Sequence, residues 1–199
     1  MSDLMSILKS AINDEAIGTM SQQIGATPQQ TRGAINASLP VLFGMMANNC
    51  QSKEGCESLA RAVEKDHDGG ILGQVQGFLQ RGNISQGESI LSNLMGGRQA
   101  PAEQALAGQT GLAPGQTHKL LALLAPIVMG AMGEQARTSG GPSANNIGSL
   151  AQSALSSVMG GSGGNAGSQI LGSLLGGAGG NKGGLAQAGA SILGGLFKK

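Results

Sequence analysis

The chain has 199 residues, enough for one domain or a little more. Its 12 Lys+Arg and 11 Asp+Glu nearly cancel, only 12% of residues are charged, and there are 36 Gly, 3 Phe and neither Tyr nor Trp. So few aromatics argue against a stacking reader of nucleotides or oligosaccharides, and any core must be assembled from Leu, Ile, Met, Val and Ala.

The apolar spacing is helical from the start, and no alternating strand pattern appears. Leu4, Leu8, Ala11 and Ile12 make one stripe, and Ala16, Ile17, Met20 and Ile24 make the next, stopped by Gly25. Thr27-Pro28-Gln29-Gln30 then reads as a helix start. Thr27 can accept a hydrogen bond from a first-turn amide, Pro28 lacks the N–H that would go unpaired, and Gln30 can reach back. The helix is expected to run to about Asn49 with a kink at Pro40. A second start, Ala113-Pro114-Gly115-Gln116-Thr117, resembles the first. Shifting residues 23–49 by 86 positions aligns Gln23 with Gln109, Gly25 with Gly111, Pro28 with Pro114 and Gln30 with Gln116. The same shift aligns Thr31 with Thr117, Pro40 with Pro126, Gly44 with Gly130 and Met46 with Met132. Two copies of a helical hairpin with long Pro-kinked helices account for this most simply.

A shorter pattern also recurs. Ile90-Leu91-Ser92-Asn93-Leu94-Met95-Gly96-Gly97 returns at Ala154–Gly161 and Ile170–Gly177, with a partial copy at Ile192–Phe197. Each makes one apolar helix face, stopped by glycine in the first three. Helices this short are marginal alone in water, so the later copies need a partner surface.

The composition changes near Thr138-Ser139-Gly140-Gly141-Pro142. Residues 1–137 carry nine basic and eleven acidic side chains, whereas residues 138–199 carry only Lys182, Lys198 and Lys199 and hold 18 of the glycines. The expected organisation is a helical domain over 1–137 and a Gly/Ser/Ala-rich tail over 138–199. The longest apolar run, Leu120 to Met132, contains Pro126 and falls short of the roughly 20 residues a membrane span needs, so it reads as a core helix. Met1 to Lys9 lacks the pattern of a secretory leader. With Cys50 and Cys56 the only cysteines, plain thiols and a reduced, cytoplasmic setting are expected.

The Leu-rich N-terminus, Gly25…Pro28, Leu39-Pro40…Gly44, Glu64-Lys65-Asp66-His67-Asp68-Gly69 and Leu124-Ala125-Pro126-Ile127-Val128-Met129-Gly130 together resemble the YidB-like bacterial family, a domain of unknown function (family 937). The resemblance covers roughly residues 1–137. It implies a bacterial, all-helical protein and brings no activity, substrate or catalytic residue with it.

The Asp66-His67-Asp68-Gly69 string is the one dense polar cluster. Aligned with a calcium-binding helix–loop–helix, Glu64, Asp66 and Asp68 take the first, third and fifth ligand positions, Gly69 the sixth and Ile71 the eighth, between helices at Glu57–Val63 and Ile71–Leu79. Val75 stands where the bidentate Glu belongs, so any metal binding there would be weak, and the plainer reading is a tight turn in which Asp68 caps the next helix. Cys50 and Cys56 lack the further ligands a zinc site needs. His118 is expected on a polar helix face without a carboxylate partner, which leaves general acid–base work without support. The basic residues are scattered, so no nucleic-acid surface is expected. Gly176–Gly183 lacks the strand and hydroxyl of a phosphate loop. Gly172, Gly176, Gly180 and Gly184 fall four apart, a small-residue stripe if helical and a flexible linker otherwise.

The sequence therefore predicts an all-α bundle built on two related Pro-kinked hairpins, with a Gly-rich C-terminal tail. The expected role is non-enzymatic, structural or interacting, with a protein partner or itself through the apolar tail faces. No cofactor or small-molecule substrate is indicated. The alternatives are a weak calcium-responsive module at Asp66–Gly69 and a small enzyme whose site is not evident. Leu193 to Lys199, apolar and then basic, leaves weak peripheral membrane contact open.

Overall fold

A computed structural model describes residues 4–66, 69–160 and 164–176. These residues hold ten α-helices and no β-strand. In order they are α1 (Leu4–Ala11), α2 (Asp14–Ile24), α3 (Pro28–Asn49), α4 (Lys53–Asp66), α5 (Val75–Arg81), α6 (Ser85–Met95), α7 (Gln99–Thr110), α8 (Pro114–Thr138), α9 (Ala144–Met159) and α10 (Gly164–Gly176). Short 3-10 turns at Gly70–Gln74 and Gly96–Arg98 lead into α5 and α7. The protein is all-α.

Local chemistry sets the ends of these helices. Asn13 Oδ1 accepts from the Ala16 amide at 2.9 Å, and Asp14 and Glu15 place negative charge in the first turn of α2. Gly25 closes α2 at φ 71°, and Gly111 closes α7 at the same φ, a left-handed position that costs glycine little. At α3 the Gln30 amide donates to Thr27 Oγ1 at 3.2 Å, and the Thr27 amide donates to Gln30 Oε1 at 3.1 Å. At α8 only half of this box exists. The Ala113 amide donates to Gln116 Oε1 at 2.9 Å, and Ala113 has no side-chain oxygen to accept a bond in return.

The two long helices form the centre. Residues 37–46 of α3 and 120–133 of α8 are buried on every side, as a helix apolar around its whole circumference must be. Pro40 and Pro126 lie inside these continuous stretches. Thr31 and Thr117 are buried as well, and each donates its hydroxyl to the carbonyl of the residue before the helix, Thr27 at 3.0 Å and Ala113 at 3.2 Å. Gly44 and Gly130 both serve as holes. A β-carbon on Gly44 would overlap the methyls of Leu171 from α10, and one on Gly130 would overlap Ile71 Cγ2 from the turn after α4. Residues related by the 86-residue shift thus do the same local work in both helices.

Beyond Thr138 the chain turns through Gly140 and Gly141, both at positive φ, and comes back over α3. Helix α9 buries Ile147, Ala151 and Ala154, and α10 buries Ile170 and Leu171. The partner surface these helices require is chiefly α3, with α4 also against α9 and α7 against α10.

Cys50 and Cys56 correct the sequence reading. Cys50 caps the end of α3, the Gln51-Ser52 turn folds α4 back, and the two Cα atoms come to 4.1 Å with the sulfurs joined in a disulfide. Two thiols six residues apart meet because this turn is tight, which spacing alone did not reveal. Gly148 of α9 rides on the bridge, with a β-carbon there 3.3 Å from Cys56 Sγ.

Candidate interaction site

The Asp66 region is described only in part. Glu64 and Asp66 belong to the last turn of α4, exposed and two residues apart, a spacing that does not bring side chains together on a helix. His67 and Asp68 lie outside the described residues, so the third expected ligand, Asp68, and its capping role do too. Gly69 has φ 98°, Ile71 enters the hole at Gly130, and Val75 is buried at the start of α5. Among the described residues no group of three His, Cys, Asp or Glu side chains is placed to hold a metal ion.

His118 is the second correction. It has two carboxylate partners: its Nδ1 lies 2.8 Å from Glu103 Oε1 on α7 and its Nε2 lies 3.2 Å from Glu88 Oε1 on α6. Gln99 Nε2 donates to the same Glu103 oxygen at 2.9 Å. The hydrogen bond to Glu103 raises the His118 pKa above its ordinary value, burial opposes this, and the bond to Glu88 adds to the rise. Only the imidazolium has an N–H on both nitrogens, so only the charged form serves both carboxylates. With both nitrogens engaged, the ring is a clasp joining α6 and α7 to the second turn of α8. The partners are 15 and 30 residues away, beyond any local motif. One signal did exist. His118 is the counterpart of Arg32 under the 86-residue shift, and Arg32 pairs with Asp14 on the helix before it, as His118 pairs with Glu103.

In two of its copies the recurrent short pattern makes a close backbone contact, and there it begins earlier than the sequence reading placed it; the Ala154–Gly161 copy has Ala151 at that place. Gly87 of α6 stands three residues before Ile90, and Gly167 of α10 stands three before Ile170. A β-carbon on Gly87 would overlap the Ala122 carbonyl of α8. One on Gly167 would come to 2.7 Å from both the Ala37 carbonyl oxygen and the Pro40 ring of α3. Each helix therefore presses bare backbone onto a long helix beside its internal proline, and then buries Leu91 or Leu171 one turn later. Pro126 has no N–H for the Ala122 carbonyl, four residues back, so the position that Gly87 covers is one where the helix already lacks a bond. A Cα hydrogen of glycine is a weak donor suited to such a carbonyl.

Two open clefts flank these helices. One of about 270 Å³ lies between Asn49, Leu59, Ile90, Leu94 and Met129. The other, about 520 Å³, is a groove between α1, α2 and α3 lined mainly by apolar residues, among them Leu8, Ile12, Ile17, Ile35 and Leu39, with Asn36 and Arg32 on one wall. Among the described residues α8 alone is long and apolar enough to cross a membrane, and it is mostly buried inside the protein.

No curated protein and no solved structure matches the chain. Residues 6–135, from α1 through most of α8, match the family model described as a bacterial protein of unknown function, DUF937. With well over half of its length so matched, the chain belongs to that bacterial family.

Proposed function

We propose that this is a non-enzymatic interaction protein that associates with further copies of itself by exchanging short C-terminal helices. The observation that supports this reading is the docking pattern itself. Gly-x-x-Ile-Leu-x-x-Leu followed by an apolar residue is seated at 87–95 on α8 and at 167–175 on α3, and it occurs once more as Gly189-Ala190-Ser191-Ile192-Leu193-Gly194-Gly195-Leu196-Phe197. That last copy lies outside the described residues. A helix held by a few apolar side chains and a glycine contact makes the same contacts with its own chain or with another, which is the condition for exchange between protomers. Fully burying each Ile, Leu or Phe is worth about 1.5–3 kcal/mol, enough for a four-residue face to matter against the cost of ordering a short helix. The chain's near-zero net charge opposes association little.

The test is sedimentation of the full chain across a concentration series beside the Leu193→Asp/Leu196→Asp variant. Association in the first and its loss in the second is the expected result. Two monomers at every concentration would sink the reading. Cutting the chain at residue 138 is a poorer test, because it would strip α9 and α10 from α3 and expose core.

A further inference from the structure

We infer that the groove between α1, α2 and α3 is the seat of residues 189–197 of the same chain. The inference rests on the reading above in taking that segment for a docking helix, and it adds where the segment goes. On α8, the seat of α6 includes Ala122, beneath Gly87, and His118, which reaches Glu88; they fall at i and i+4 and so share a face. The 86-residue shift maps these onto Asn36 and Arg32 of α3, and both line the open groove of about 520 Å³. Pro40 leaves the Asn36 carbonyl without its helical donor, as Pro126 leaves that of Ala122. Helix α10 does not fill this place, since it lies against Ala37, Pro40 and Gly44, on the neighbouring face of α3. The fold thus has two long helices of one pattern and an α6-like seat on each. One seat is covered by α6. The other is open among the described residues, and one copy of the seat-taking pattern is left over in the sequence.

Reach permits the placement. Gly167 stands by Ala37 and Leu171 by Gly44, so α10 runs along α3 in the same direction and ends at Gly176 toward the far end of α3. From that end back to Asn36 is about 20 Å at the helical rise per residue. The twelve residues 177–188 span up to about 40 Å when extended. A tether this short gives the segment a local concentration in the millimolar range, so its own groove fills before another chain's does.

The α6 seat also fixes the register. Gly87 lies on Ala122 and Glu88 reaches His118, so Gly189 belongs on Asn36 and Ala190 beside Arg32. The full-length variant Arg32→Cys/Ala190→Cys, oxidised at a dilution where sedimentation shows monomer, should form an intrachain link mapped to peptides 32 and 190. The native Cys50–Cys56 bridge is kept, and circular dichroism checks that the fold is intact. The link should form about tenfold faster than in Arg32→Cys/Gly183→Cys, and adding Gly189→Leu should remove that advantage. Links found only between chains would overturn the intramolecular seat while leaving self-association standing. A rate equal to the control would overturn the groove as the seat altogether, and the sedimentation series would then judge self-association by itself.

Discussion

Gly87 of α6 lies so close to Ala122 of α8 that a single added methyl would overlap the Ala122 carbonyl oxygen. That obstacle is backbone and cannot swing aside, unlike the end of a flexible side chain. Gly87→Ala should therefore destabilise the fold by about 1–3 kcal/mol or more, although alanine is the better helix former. Gly172 of α10 is the control. It is exposed, mid-helix and has nothing within 4 Å of its would-be β-carbon, so Gly172→Ala should stabilise by about 0.5–1 kcal/mol. Urea unfolding of the two variants measures both signs.

Gly44 and Leu171 form a hole and its knob. Leu171→Ala empties the space and should cost about 2–5 kcal/mol. Gly44→Ala pushes against the Leu171 methyls and should cost about 1–3 kcal/mol. Made together, the two changes relieve each other, and the double variant should be more stable than their sum by about 0.5–3 kcal/mol. Additive losses in a double-mutant cycle would mean that α10 is not held on α3 by this contact.

The all-helical fold was legible because its signals are local. The caps at Thr27 and Gly25, the proline at each long helix start and the 3.6-residue apolar stripes need only neighbours along the chain. The 86-residue repeat also announced which positions would be equivalent. What escaped was set by tertiary closeness. The carboxylates that reach His118 come from two other helices, and the Cys50–Cys56 bridge depends on the sharpness of one turn. Glu64 and Asp66 looked like loop ligands because a charged string ends an amphipathic helix as readily as it forms a loop, and α4 continues through both. The glycine at the head of the docking pattern escaped for a different reason. Among so many glycines, Gly87 and Gly167 stand out only once the carbonyl beneath each is seen.

The unequal starts of α3 and α8 yield a simple gain. Thr27 Oγ1 accepts a hydrogen bond from the Gln30 amide, whereas Ala113, at the same place before α8, has no side-chain oxygen to do so. Ala113 is exposed and its backbone is extended, with φ −67° and ψ 151°, close to that of Thr27. Ala113→Thr should complete the box and stabilise by about 1 kcal/mol, and Thr27→Ala should cost a similar amount. Thermal unfolding of the pair is the measurement, and a loss on Ala113→Thr would show that the two starts differ in more than the missing hydroxyl.

The disulfide makes a prediction that depends on a short loop. Linking residues six apart restricts the unfolded chain modestly, so Cys50→Ser/Cys56→Ser should lower stability by about 2 kcal/mol. Because Gly148 of α9 rests on the bridge, hydrogen exchange should quicken in α9 before it does in α8. Equal quickening throughout would place the bridge outside the α9 contact.

The His118 clasp ties stability to pH, and the direction follows from which form the carboxylates prefer. Glu103 and Glu88 hold the imidazolium, so the folded pKa lies above the value near 6.5 that the unfolded chain has. A group raised on folding contributes its full stability below the unfolded pKa and loses it as pH climbs through the folded one. Between about pH 5.5 and about pH 8.5 the native protein should lose stability relative to His118→Gln as pH rises. The size should stay within about 1 kcal/mol, because Glu88 and His118 are partly open to water and salt screens them. Glu103→Gln should remove more of the dependence than Glu88→Gln, since the Glu103 bond is the shorter and that carboxylate the more buried. Urea midpoints across the window, taken as differences from His118→Gln, cancel what other groups contribute. A flat difference would show that the ring does not gain its proton from this pair of glutamates, and a rising one would mean that the buried ring favours its neutral form.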